Sequence, residues 1–108
     1  MNKYHNRKTV VDGIAFASKA EARRYLEVMM LQRGGAISQL ELQPRFPMVV
    51  NNVKVCTYVA DFSYNENGQH VVEDVKSEAT CKLPVFRIKK KLMLALYGID
   101  VQEVKNAE

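Results

Sequence analysis

The chain has 108 residues, with 16 Lys plus Arg against 12 Asp plus Glu and 47% hydrophobic residues. A domain occupies roughly 100–150 residues, so one domain is expected and a two-domain enzyme with a separate cofactor domain is excluded. No apolar run approaches the ~20 residues of a membrane helix, the basic start lacks an apolar core and so predicts no signal peptide, and the excess of basic groups favours a polyanionic partner. Cys56 and Cys81 form neither a disulfide framework nor a CxxC metal pattern. They fit a reduced, cytoplasmic protein.

Residues 1–9 read as a flexible basic arm carrying Lys3, Arg7 and Lys8, and residues 10–108 as the domain. Asp12-Gly13 between short apolar runs predicts a type I′ turn and a small ribbon over 10–16. Ser18 and Glu21 form a capping box that opens a helix. Ala22, Tyr25, Leu26, Met29 and Met30 would be its buried face, with Arg23, Arg24 and Glu27 outside and Gly34-Gly35 ending it. Ile37 to Val50 predicts a strand interrupted by Pro44 and Pro47, Asn51-Asn52 a turn, and Val53 to Tyr64 a second strand. Residues 65–68 read as a four-residue hairpin loop, and Gln69 to Lys76 as the third strand. Pro84 opens a second helix with Val85, Ile88, Leu92 and Leu96 at helical spacing and Gly98 just past its end. A last strand at 99–104 follows, able to pair in parallel with the third as a βαβ crossover. The fold class is therefore α/β (α+β): a mixed sheet flanked by two helices, with a short N-terminal β-ribbon.

The chemistry concentrates on the second hairpin. A four-residue loop pairs Tyr64 with Gln69 and Asp61 with Val72, so Asp61, Val72, Asp74 and Lys76 share one sheet face. Asp74 is then diagonal to Asp61, at roughly 7–8 Å between Cα atoms. Tyr58, Ala60, Phe62, Val71 and Val75 make the opposite, apolar face, with Glu73 as its exception. A one-residue bulge would exchange Glu73 for Asp74 as the site carboxylate, so both stay open. Asp is depleted in strands, and two aspartates on one face repel unless a cation or a proton intervenes. Two carboxylates suit a hard ion such as Mg²⁺, and a lysine beside it can orient an attacking water and offset charge on a phosphate. A salt bridge of either aspartate with Lys76 is the plainer alternative. Lys82, Arg87 and Lys89 to Lys91 follow this strand, and Arg23 and Arg24 follow Glu21. They are candidate phosphate contacts, although a solvated helix face explains Lys89 to Lys91 equally well.

Asp61, a hairpin, then Asp74-Val75-Lys76, preceded by a helical glutamate and followed by a basic helix, resembles the PD-(D/E)XK nuclease superfamily. More narrowly, DGIAFASKAEARRYLE (12–27), LELQPRF (40–46), YVADF (58–62) and VVEDVK (71–76) resemble a small phage and prophage family of largely uncharacterised proteins placed in that superfamily. The resemblance implies an αβββαβ restriction-endonuclease-like core. It implies a metal-dependent DNA endonuclease of phage recombination, replication or processing in a bacterial cytoplasm, with branched or junction DNA as a candidate substrate and RNA left open. It makes Asp61, Asp74 and Glu21 the ligands of Mg²⁺, replaceable by Mn²⁺, makes Lys76 their catalytic companion, and adds Gln43 as a polar neighbour. Ala60 stands where the superfamily's name motif has proline. Glu21 is equally explained as a helix cap. The rival function is a nucleic-acid-binding module of the same fold without turnover. Cutting both strands from one cleft needs a homodimer or two encounters.

Overall fold

A computed structural model describes residues 8–105, so Lys3, Arg7 and most of the predicted arm lie outside the described residues. The ribbon forms as expected: β1 (Thr9–Val11) and β2 (Ile14–Phe16) join through Asp12 and Gly13, both at positive φ. Helix α1 (Lys19–Arg33) starts where the Ser18 side chain accepts the Glu21 amide proton at 3.2 Å. Its buried residues are Ala20, Ala22, Tyr25 and Val28; Leu26 and Met30, expected inside, are exposed.

The two long strands read from sequence are each broken in two. Pro44 separates β3 (Ser38–Leu42) from β4 (Arg45–Val50), and Ala60-Asp61 separates β5 (Val53–Val59) from β6 (Phe62–Glu66). β4 and β5 pair as an independent ribbon, turning at Asn51-Asn52, both left-handed. β3 and β6 enter the main sheet, ordered β3-β6-β7-β8, with β7 (Gln69–Lys76) antiparallel to β6 and parallel to β8 (Gln102–Lys105). Helix α2 (Pro84–Tyr97) makes the crossover and ends at Gly98 with φ 68. A short 3₁₀ turn (Thr80–Lys82) precedes it. The fold is α+β with a mixed sheet.

Both faces of the sheet carry core. On the α1 side Phe16, Ala22, Tyr25, Val28, Ile37, Phe62 and Tyr64 pack together. On the α2 side Met48, Tyr58, Ala60, Val72, Phe86, Met93 and Val101 do so. Tyr58 and Ala60 therefore do not join Phe62 as expected. The break at Ala60-Asp61 resets the strand alternation and sends them to the other face. Helix α2 buries Phe86 and Met93, and leaves Val85, Ile88 and Leu96, three of the four residues of the expected stripe, exposed. No described helix is long and apolar enough to cross a membrane.

Candidate active site

Asp61 sits where the chain leaves the ribbon for the sheet. The crossing is pinned by Gln43 N–H donating to the Asp61 carbonyl at 2.9 Å and Ala60 N–H to the Pro44 carbonyl at 3.1 Å. Gln43 takes a left-handed backbone there, φ 51. The β6–β7 hairpin turns on Asn67-Gly68 alone, both at positive φ, so Glu66 pairs with Gln69 and Phe62 with Glu73. This corrects the four-residue loop. Asn-Gly supplies the two left-handed residues of a type I′ turn, and the register moves by two. An even shift keeps the β6 and β7 side chains on their expected faces and brings Asp61, just before β6, level with Asp74 instead of diagonal to it.

The aspartates hold one another in place. Asp61 N–H donates to Asp74 Oδ1 at 2.8 Å, and Val75 N–H donates to Asp61 Oδ2 at 2.8 Å. The hydroxyl of Tyr58 donates to Asp74 Oδ2, and Lys76 Nζ lies 3.8 Å from the same oxygen. Lys76 is itself steered by the Phe86 ring, 4.3 Å from Nζ to the centroid. Burial raises the Asp61 carboxyl to about 8, reinforced by the charges of Asp74 and Glu21 and opposed by the Val75 amide and Lys76. Burial also raises Asp74, against the Tyr58 hydroxyl, Lys76, and hydrogen bonds from the Asp61 amide and carboxyl. Two acids thus sit together where neither finds enough positive charge to offset its burial.

Glu21, on the first turn of α1, stands across from this pair. One cleft of about 130 Å³ joins Glu21 to Asp61 and Gln43 beneath Phe16; a second, also about 130 Å³, joins Glu21 to Lys76, Ser77 and Thr80. Burial raises the Glu21 carboxyl, the Ala17 backbone amide lowers it, and the charge of Asp74 raises it. Glu21 therefore gives its amide to the Ser18 cap while its carboxyl lines the cleft beside Asp61. Among the described residues no three His, Cys, Asp or Glu side chains are drawn into a cation cage. Asp61 and Asp74 are brought together, and Glu21 lies across the cleft.

The donor set fits a hard divalent cation: carboxylate oxygens only, one on β7 and one at the entry to β6, held close despite mutual repulsion. A cation bound between them would supply the positive charge that the pair lacks. Cys56 and Cys81 are free thiols away from this set, and the exposed His70 keeps company with Asn65 at 3.4 Å.

Glu73 is placed on the opposite face and is fully engaged. Arg24 donates Nε to Oε1 at 2.7 Å and Nη2 to Oε2 at 3.0 Å, and Tyr64 donates its hydroxyl to Oε2 at 2.8 Å. Of the two acids left open by the sequence, Asp74 is the one beside Asp61. The same pair corrects Arg24: its side chain, only 19% exposed, is a partner of Glu73 and not part of an outer basic face.

The other basic candidates divide in two. Arg87 and Lys90 reach Glu103 at 3.0 and 2.6 Å and hold its carboxyl down at about 2, while Lys89 donates to the Thr57 carbonyl at 3.1 Å. These residues tie α2 to β8 and to the ribbon, which corrects the view of Lys89 and Lys90 as a solvated ridge. Lys82, Lys91 and Arg23 are exposed, Lys82 near Glu78 at 3.7 Å. A larger cleft, about 870 Å³, opens on the far side over Arg24, His70, Asp100 and Gln102. Sequence reasoning missed Tyr58 as a partner of Asp74, since its placement depends on the break at Ala60-Asp61.

Residues 1–106 match the family described as Protein of unknown function (DUF1064). The chain belongs to that family. No curated protein and no solved structure matches it.

Proposed function

We propose that this DUF1064 protein is a metal-dependent phosphodiesterase that cleaves DNA, a member of the PD-(D/E)XK nucleases in which Asp61 and Asp74 hold the cation. The observation that carries the reading is the contact between buried Asp74 and half-buried Asp61 with Lys76 beside them. A structural role rarely gathers two acids with so little positive charge around them, because their repulsion and desolvation oppose folding. Mg²⁺ or Mn²⁺ bound there supplies a Lewis acid that polarises a phosphodiester and lowers the pKa of a water.

The residues around it have separate tasks. Lys76 Nζ, fixed between Asp74 and the Phe86 ring, orients the attacking water and offsets charge gathering on the phosphate. Glu21, which shares a cleft with Lys76, accepts that water's proton as the new P–O bond forms and the ester P–O bond breaks, the departing oxyanion taking a proton from solvent. Gln43 lines the cleft with Glu21 and Asp61 and contacts the strand entering it. Lys82, Lys91 and Arg23 neutralise neighbouring phosphates from the surface. Branched DNA of phage replication or recombination is the proposed substrate, in a bacterial cytoplasm.

The experiment is Mg²⁺-dependent cleavage of linear, nicked, branched and single-stranded DNA, with RNA alongside. Cleavage that disappears in Asp74→Asn supports the reading. A wild-type protein inert on every substrate, yet binding DNA in a salt-sensitive way, supports the rival binding module.

A further inference from the structure

Asp74 has four lone-pair sites to place, and its terminal torsion is soft, so neighbouring donors decide which oxygen faces Asp61. The Asp61 amide takes Oδ1; the Tyr58 hydroxyl takes Oδ2, with Lys76 near that same oxygen. Tyr58 differs from the other donors in coming from the β4–β5 ribbon, outside the four-stranded sheet. Its ring is 3% exposed and stacks on Phe46 at 6.3 Å between centroids. Phe46 meets Tyr97 edge-on at 5.4 Å, and the Tyr97 hydroxyl donates to the Pro47 carbonyl at 2.6 Å. Lys89 adds its bond to the Thr57 carbonyl, beside Tyr58 in the chain. The phenol is thus held by the ribbon's seat on α2 and has no room to follow Asp74 if the carboxylate turns.

We propose that Tyr58 is the positioning residue of the carboxylate pair: its hydroxyl holds Asp74 Oδ2 toward the ribbon and so keeps Oδ1 turned to Asp61, the side on which the two aspartates share a cation. The catalytic consequence rests on the function proposed above; the orientation of Asp74 does not. Seating of the ribbon on α2 is then part of building the site, although the ribbon carries none of the cation's ligands.

A matched pair of variants isolates the effect. Tyr58→Phe and Tyr64→Phe each remove one phenol from one buried carboxylate, Asp74 in the first and Glu73 in the second. The Asp61 amide resonance reports directly on whether Asp74 Oδ1 still accepts its proton, with no need of metal or activity. In Tyr58→Phe this resonance moves upfield and its proton exchanges faster. Mn²⁺ affinity falls about tenfold, as for loss of a residue that orients a metal ligand. The kcat for DNA cleavage falls with it, while KM stays near wild type. Tyr64→Phe leaves all of these readings at their wild-type values. An Asp61 amide unmoved in Tyr58→Phe, or moved equally in both variants, overturns the proposal. Should Tyr58→Phe not fold, difluorotyrosine placed at 58, a more acidic donor, is read instead: a shifted Asp61 amide supports the proposal and an unshifted one overturns it. If wild-type protein neither binds Mn²⁺ nor cuts DNA, the nuclease reading fails while the amide comparison still decides the role of Tyr58.

Discussion

Glu73 and Asp74 are neighbours in the chain, and both are buried, 1% and 3% exposed. Their surroundings are opposite. Glu73 points to α1 and meets a bidentate guanidinium and a phenol, a complete set of donors for a carboxylate. Asp74 points to α2 and meets a phenol, one backbone amide, a distant lysine and another acid. The first arrangement is that of a structural ion pair; the second leaves buried oxygens short of positive charge. Burial alone does not mark a candidate functional acid. Burial with insufficient positive charge does.

The comparison breaks most sharply on activity. Asp74→Ala is expected to reduce DNA cleavage by about 10³-fold or more, the loss of several kcal/mol of transition-state stabilisation, while leaving the unfolding free energy within about 1 kcal/mol of wild type. Rate assays and urea melts on one preparation check both halves. Glu73→Ala should do the reverse. It leaves the Arg24 guanidinium buried without its partner and is expected to lower stability by about 3–5 kcal/mol. Replacing both, Arg24→Met with Glu73→Leu, should recover much of that loss, and a double-mutant cycle by denaturant unfolding measures it.

The pH dependence sharpens the contrast further. Asp61 titrates at about 8 in the folded chain against 3.8 as its ordinary value. The folded state therefore holds a proton that the unfolded state has released between those limits. Its contribution to stability is complete below pH 3.8 and lost as pH rises through about 8. Metal-free protein should lose stability over that window at up to ~1.4 kcal/mol per pH unit for one proton. Saturating Mg²⁺ or Asp61→Asn should flatten the slope. Glu103 has the opposite sign: held at about 2 by Lys90, Lys105 and Arg87, it adds stability above pH 4.5 that is lost as pH falls toward 2. Denaturant midpoints from pH 3 to 9, with and without Mg²⁺, separate the two. The smallest effects belong to the surface. Lys82→Ala or Lys91→Ala should weaken DNA binding a few-fold and reduce the salt slope by about 0.9 for each phosphate no longer neutralised. Titrations at several salt concentrations measure this.

Local signals in the sequence carried far. Asp12-Gly13, the Ser18 cap, Pro84 and Gly98 each act within a few residues, and each element they mark is where the chain pattern put it. The shared face of Asp61, Asp74 and Lys76 was legible because alternation survives an even shift of register. The break at Pro44 was legible from the proline; the break at Ala60-Asp61 was not. It depends on which strand finds which partner, and Val53 to Tyr64 reads as one uninterrupted strand-forming run. From that one miss follow the misplacement of Tyr58 and Ala60 and the unseen hydroxyl on Asp74. Arg24 and Glu73 lie 49 positions apart, beyond any periodicity argument, so their pairing could not be read either. The exposed side of α2 went wrong for a related reason: Phe86 and Met93 follow the ribbon and β8 inward, and the helix turns to suit them.

The central claim is that Asp61 and Asp74 form a cation site. Calorimetric titration of the metal-free protein with Mn²⁺ near pH 7 tests it most directly. The account predicts saturable binding that releases a proton, seen as a heat that varies with the ionisation enthalpy of the buffer, and that is lost in Asp61→Asn but retained in Tyr64→Phe. An absence of binding in the wild type, or binding undiminished in Asp61→Asn, would contradict it.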